Sequence, residues 1–185
     1  MNDKSSLRKQ FINLLKSKTH NEMKLAAEHA VQRFLEKHEL KGNLLIYKAM
    51  KIEIPLDNEL QTLSGNQVRL YYPRCVDGNI RFYLNSKDQF SLDEECIQAP
   101  PLDSEQWNGQ VGFLLIPALA CDLHGYRLGH GGGYYDRFLD QPEVRVLTKI
   151  LVALEDQVVE SLPRDPWDRP AQAILTPERF FKIPI

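Results

Sequence analysis

Residues 127 to 136 read Arg-Leu-Gly-His-Gly-Gly-Gly-Tyr-Tyr-Asp. Within ten positions the chain gathers a guanidinium, an imidazole, two phenols, a carboxylate and the glycines 129, 131, 132 and 133. Glycine tolerates positive φ and lets backbone N–H groups approach a ligand closely. Arg127 adds a rigid fork of donors that matches phosphate oxygens. Asp136 falls where Tyr134-Tyr-Asp-Arg-Phe-Leu139 takes up helical spacing; it reads as an exposed first-turn carboxylate, suited to the helix dipole or to a magnesium ion. Together these groups describe an anion cradle at the start of a helix. A purely structural turn needs the glycines but not the cation, aromatics and carboxylate around them.

The cradle has to be carried by regular elements. Val111-Gly-Phe-Leu-Leu-Ile-Pro117 is continuously apolar, as a strand buried on both faces is, so the glycines read as a turn from strand to helix. Upstream, Leu7, Phe11, Leu14 and Leu15 predict an amphipathic helix over 5–17 with Arg8, Lys9 and Lys16 on its polar face. Thr19-His-Asn-Glu22 has capping-box spacing and opens a second helix with Ala26, Ala27, Ala30, Val31, Phe34 and Leu35 as its buried stripe. Strands are predicted at 43–47, 67–72, 80–84, 111–117, 149–154 and 172–176, with a short helix between Leu56 and Leu63. This alternation predicts an α/β fold with a mainly parallel sheet covered on both faces. Such sheets bind ligands at the carboxyl ends of their strands, which places the glycine turn on the functional edge. Residues 85 to 110, with Asp88, Asp93, Glu94, Glu95 and Asp103, fit neither period and read as a surface loop near a ligand mouth.

Bulk properties narrow the classes. A chain of 185 residues is one domain's worth. A net charge of −2 with no polybasic run argues for small ligands rather than nucleic acid or membrane. Three cysteines, Cys75, Cys96 and Cys121, form no C-x-x-C pair, so neither a disulfide framework nor a zinc site is expected, and a reducing cytoplasm fits. Without an apolar stretch long enough to span a bilayer, the expectation is a soluble, unprocessed protein.

The decapeptide lacks the spacing of a P-loop and of a dinucleotide fingerprint. Preceded by Pro117, Asp122 and Gly125, it resembles the signature of the 5-formyltetrahydrofolate cyclo-ligases, also called methenyltetrahydrofolate synthetases. Lys4-Ser-Ser-Leu-Arg8 and Leu162-Pro-Arg-Asp-Pro-Trp-Asp168 resemble that family's opening and closing segments. The resemblance implies a single three-layer α/β/α domain over 1–185, similar to the NagB/RpiA/CoA-transferase-like architecture, acting as a cytoplasmic monomer. It implies ATP- and magnesium-dependent closure of 5-formyltetrahydrofolate to 5,10-methenyltetrahydrofolate. ATP would contact Lys4, Ser5, Ser6, Leu7 and Arg8, together with Arg127, Leu128, Gly129, His130, Gly131, Gly132, Gly133, Tyr134 and Tyr135. The folate would contact Lys48, Glu53, His130, Gly131, Gly132, Gly133 and Tyr134. Arg127, His130 and Tyr134 would serve the chemistry, and Asp136 and Asp168 would hold magnesium.

Taken singly, Lys4 and Arg8 read equally as a solvated helix face, Glu53 as a loop carboxylate and Asp168 as a turn residue. The chain also departs from the family's pattern. His130 stands where many members carry Arg or Tyr, Gln98-Ala-Pro-Pro101 where many have Glu-Pro, and Gln172 where some have Asp. Two other readings stay open: a cyclo-ligase-like paralogue that binds nucleotide or folate without turnover, and an α/β enzyme of the sugar-phosphate isomerase or acyl-transferase kind.

Overall fold

The six strands expected from the sequence, joined by an edge strand at Phe180–Lys182 that the sequence does not announce, form one seven-stranded sheet. In the computed structural model, which describes residues 3–63, 67–85 and 89–184, these strands are β1 (Gly42–Leu45), β2 (Val68–Val76), β3 (Asn79–Leu84), β6 (Gly112–Pro117), β9 (Leu147–Val152), β11 (Ala173–Leu175) and β12 (Phe180–Lys182). Their order is β12-β11-β9-β6-β1-β2-β3. The five inner strands run parallel, and β12 and β3 close the edges antiparallel. Asp88 lies outside the described residues.

Alternate side chains of these strands enter two cores. Leu44, Leu70, Leu115 and Ile150 face the helix α2 (His20–Lys37), which presents Ala27, Ala30 and Phe34. Leu45, Tyr71, Leu114 and Leu151 face the other way, toward Phe138 and Leu139 of α4 (Tyr134–Leu139). A strand buried on both faces has no polar face, which is why periodicity alone showed only apolar runs. Thr19 caps α2 as its spacing predicts: the hydroxyl accepts from Glu22 N at 3.2 Å, and Glu22 Oε2 accepts from Thr19 N at 2.7 Å.

A third cluster explains how the amino terminus reaches the glycine turn. Phe11 and Leu15 of α1 (Lys4–Lys16) are buried against Leu119, Ala120, Leu128 and Leu162, with Leu7 packed beside them. Leu119, Ala120 and Leu128 belong to a small three-stranded sheet of β7 (Ala120–Asp122), β8 (Arg127–Leu128) and β10 (Val158–Val159) or its border. Here the structure corrects the sequence reading. The glycine turn does not leave the main-sheet strand directly; a tight β7–β8 hairpin intervenes, and β8 delivers the chain to α4. Residues 85–110 likewise are not all loop: β4 (Ser91–Leu92) and β5 (Gln98–Ala99) pair antiparallel. The short helix α3 (Asp57–Gln61) lies where expected.

Candidate functional site

A cleft of about 470 Å3 opens at the carboxyl ends of the parallel strands. Tyr47, Lys48 and Glu53 reach it from the segment after β1, Pro117 from the end of β6, and Pro73 and Cys75 from the far half of β2. Arg127 through Asp136 supply the opposite wall. Lys4 and Arg8, one helical turn apart on α1, project over that wall.

The anchor of this wall is Asp122, fully buried at the β7–β8 turn. Its Oδ1 accepts from the backbone N–H of His124 and of Tyr126, each at 3.0 Å, which makes the turn. Its Oδ2 accepts from Leu162 N at 3.0 Å and from Arg164 at 3.3 Å, which ties the closing segment to the same point. Gly125 completes the turn at φ +85°, where a Cβ would stand 2.6 Å from the Ala171 carbonyl oxygen.

Within the glycine loop the four glycines serve different needs. Gly131 and Gly133 adopt φ of +105° and +68°, which other residues avoid. Gly129 and Gly132 are not at positive φ, but a Cβ would meet the Arg127 guanidinium at 2.5 Å and the Tyr134 ring at 2.7 Å, so those two side chains would have to move. Arg8 Nε donates to the Gly129 carbonyl at 2.9 Å, so α1 and the loop are fastened together. The helix that follows has only six residues. Its dipole is correspondingly small, and the cations that this wall presents are Arg127, Arg8 and Lys4, two of them paired with carboxylates of the same cleft.

Arg127 is more enclosed than Lys4, with 7% of its side chain exposed against 18%. One terminal nitrogen donates to Asp136 Oδ1 at 2.9 Å, while Nε is buried with no hydrogen-bond partner among the described residues. Asp136 is therefore not the free, exposed carboxylate that its place in a first turn predicts; it neutralises a buried arginine. Lys4 Nζ bridges Asp165 at 2.6 Å and Asp168 at 2.7 Å. Burial alone would lower the Lys4 pKa, but the two carboxylates outweigh it and raise it above the usual lysine value. Asp165 went unassigned in the sequence, although it stands three residues before Asp168 in the closing segment.

Two sides of the cleft meet at His130, whose Nε2 is 3.5 Å from Glu53 Oε1. Glu53 is 7% exposed in its side chain and turns its other oxygen to Met50 N at 2.9 Å. Lys48 pairs with the buried Asp57 at the start of α3 and lies 4.8 Å from the centre of the Phe90 ring. The hydroxyl of Tyr134 donates to Glu95 at the β4–β5 tip, and this bond pushes its pKa up to about 12. Asp93 holds that tip in place by accepting from Glu95 N, Ile97 N and Cys75 N. Asp93, Glu95 and Ile97 are thus cleft residues that the sequence placed only generally, near a ligand mouth.

All the other predicted site residues line the cleft, except Ser5, Ser6 and Leu7. Ser5 and Ser6 are exposed, Ser6 N capped by Asp3 at 2.7 Å, and Leu7 is spent on packing. The departures lie in plain structural settings. Gln172 is at the opposite, amino edge of the sheet, where its Oε1 accepts from Lys149 N at 2.8 Å and extends the β9–β11 pairing. Ala99 is fully buried in β5, and the Pro100 carbonyl takes a bond from Arg74 at 2.8 Å.

Magnesium prefers one or two carboxylates completed by phosphate oxygens and water. Asp136 and Asp168 suit that pattern: both line the cleft, and each keeps one oxygen, Oδ2 and Oδ1 respectively, that takes no hydrogen bond among the described residues. Among those residues no three His, Cys, Asp or Glu gather into a cage. A divalent ion here would thus rely on oxygens brought by its ligand. No helix among the described residues is long and apolar enough to cross a membrane.

The chain and its fold are similar to known proteins. Residues 1–177 match the 5-formyltetrahydrofolate cyclo-ligase family. A 5-formyltetrahydrofolate cyclo-ligase of Mycoplasma genitalium is 32% identical over 177 residues, 91% of this chain and 94% of the relative. The fold superposes on the 5,10-methenyltetrahydrofolate synthetase of Aquifex aeolicus with a TM-score of 0.82 at 28% identity, over 97% of this chain and 92% of the other. The synthetase of Mycoplasma pneumoniae gives 0.74 at 28% identity, over 95% and 99%.

Proposed function

This chain belongs to the 5-formyltetrahydrofolate cyclo-ligase family, and from that premise we propose that it closes 5-formyltetrahydrofolate to 5,10-methenyltetrahydrofolate with ATP and magnesium. What carries the reading is one juxtaposition: the glycine loop lines a single cleft together with Lys4 and Arg8 on one side and Lys48 and Glu53 on the other. A nucleotide's phosphates suit the cationic side. A pterin, with ring N–H donors, suits the enclosed carboxylate of Glu53.

The chemical difficulty is that a formamide oxygen leaves poorly. In the proposed sequence a lone pair of the formyl oxygen forms a bond to the γ-phosphorus, and the bond to the β-phosphate oxygen breaks with its electrons going to ADP. The folate N10 then adds to the activated carbon, the C–O bond breaks toward oxygen, and the N10 proton ends on the released phosphate. Phosphoryl transfer of this kind asks a protein for alignment and charge stabilisation rather than for a nucleophile. Arg127 and the loop amides bind and orient the transferred phosphoryl group, Lys4 and Arg8 cover the nucleotide, and His130 and Tyr134 face the folate. Magnesium, held by Asp136 and Asp168, would offset charge on the phosphates.

Absorbance of the methenyl product, followed with and without ATP and with and without magnesium, tests the proposal. The expected result is product only when both are present, with ADP formed one for one. Binding of ATP or of the folate with neither ADP nor methenyl product formed would replace this reading with that of a binding paralogue.

A further inference from the structure

Tyr135 stands in the first turn of α4 and lines the cleft beside Arg127. Its hydroxyl is buried and has no hydrogen-bond partner among the described residues. A buried phenol left in that state has given up its bonds to water and gained none, so native proteins seldom keep one without a use. The surrounding phenols are satisfied. Tyr47 donates to the Ile54 carbonyl at 2.7 Å, and Tyr134 donates to Glu95.

The position of Tyr135 says what its hydroxyl is kept for. The Arg127 guanidinium lies over the ring, 5.2 Å from its centre, and Arg127 Nε is likewise buried without a hydrogen-bond partner among the described residues. From the opposite wall, Tyr47 and Glu53 line the same cleft as Tyr135. The ring thus spans the boundary between the arginine assigned to the phosphoryl group and the carboxylate assigned to the pterin. Only one substrate atom belongs to both sides of that boundary: the formyl oxygen, carried by the folate and destined for the phosphorus.

We infer that the Tyr135 hydroxyl donates a hydrogen bond to the formyl oxygen of the substrate and directs it toward the phosphoryl group. This rests on the function proposed above. The phenol keeps its proton throughout; the oxygen it holds departs with the phosphate, and its remaining lone pair is the one that forms the bond to phosphorus. Tyr135 in this role discriminates folates that carry an oxygen on the N5 substituent from those that do not.

The test compares 5-formyltetrahydrofolate with 5-methyltetrahydrofolate, which lacks that oxygen, by equilibrium binding to the wild type and Tyr135→Phe without nucleotide. Affinity for the formyl folate should fall about three- to tenfold, the worth of one neutral hydrogen bond, while affinity for the methyl folate stays the same. Equal loss for both folates, or loss for neither, would overturn the inference. Thermal melting gives an independent readout: removing an unpaired buried hydroxyl should leave the midpoint unchanged or higher, and a clear drop would reveal a structural partner and also overturn it. Turnover of the wild type is scored separately. If the wild type makes no methenyl product, the proposed reaction fails, whereas the formyl-against-methyl preference still decides the role of Tyr135.

Discussion

Arg127 and Asp136 are separated by one turn of loop and one of helix, yet the pair decides how each can act. Arg127 is enclosed and binds Asp136 through a single terminal nitrogen at 2.9 Å, with Nε left over for a ligand. Removing the carboxylate charge would therefore be felt twice. Asp136→Asn keeps an acceptor for Arg127 but leaves a buried cation without a counter-charge, so a loss of about 1–2 kcal/mol is expected in urea denaturation. The same change removes one of the two carboxylates proposed to hold magnesium, and turnover should fall by on the order of 100-fold, as when one electrostatic contact to a developing charge is deleted. Normal turnover with reduced stability would leave Asp136 as a structural partner of Arg127 and nothing more. The residue types of this site were legible because they crowd into ten positions. The pairing between them was not, since a carboxylate in a first helical turn is exposed in most helices, and only the enclosure of Arg127 makes this one otherwise.

The β7–β8 hairpin turns that local chemistry into a wall. Asp122 accepts four bonds at its tip, two that shape the turn and two that hold Leu162 and Arg164 of the closing segment. All four come from donors, so an amide in its place must set an N–H against an N–H. Asp122→Asn is expected to cost about 3 kcal/mol, well above the effect of an ordinary surface change, and to loosen the closing segment that carries Asp165 and Asp168. The denaturation midpoint checks the first part; faster proteolysis between residues 160 and 170 checks the second. A midpoint within experimental error of the wild type would mean that Asp122 is not the anchor. At this scale the sequence was informative where periodicity or capping is strong: α1, α2 and the inner strands of the sheet all lie close to their predicted spans. It was silent on β7, β8, β10 and β12, which have only two or three residues each and so show no period. The β2–β3 hairpin closes at Asp77-Gly78, both at positive φ, and strand spans alone do not express that antiparallel pairing. The cleft wall at Glu95 and Asp165 was hidden for a related reason, because those carboxylates gain their partners only through tertiary contacts with Tyr134 and Lys4.

At the scale of the whole molecule, the sheet divides its apolar residues between two cores, and Cys121 sits fully enclosed where β7 meets the second of them. Burial, with the adjacent Asp122, pushes its thiol up to about 12 from an ordinary 9.0. The folded chain thus keeps a proton that the unfolded chain releases, and the sign follows directly. The contribution is whole below pH 9 and is lost as pH climbs toward 12, because over that interval the unfolded state binds fewer protons than the native one. By pH 10 the loss from this one group is about 1.4 kcal/mol relative to neutral pH. Other groups titrate in the same range: Lys149 is lowered by burial and acts in the opposite direction, and Lys4 is raised by its two carboxylates and acts in the same one. A difference between two proteins removes them both. Urea midpoints for the wild type and Cys121→Ala, each at pH 8 and pH 10, should show both proteins weakening with pH. The wild type should weaken by about 1.4 kcal/mol more. The cavity left by the missing sulfur lowers the variant equally at either pH and drops out of the comparison. A thiol reagent under native conditions supplies the companion measurement: the exposed Cys96 should react at once, while the enclosed Cys121 waits for unfolding. Parallel pH dependence in the two proteins, together with rapid labelling of Cys121, would mean that the second core is open to solvent at β7, the hairpin on which the cleft wall is built.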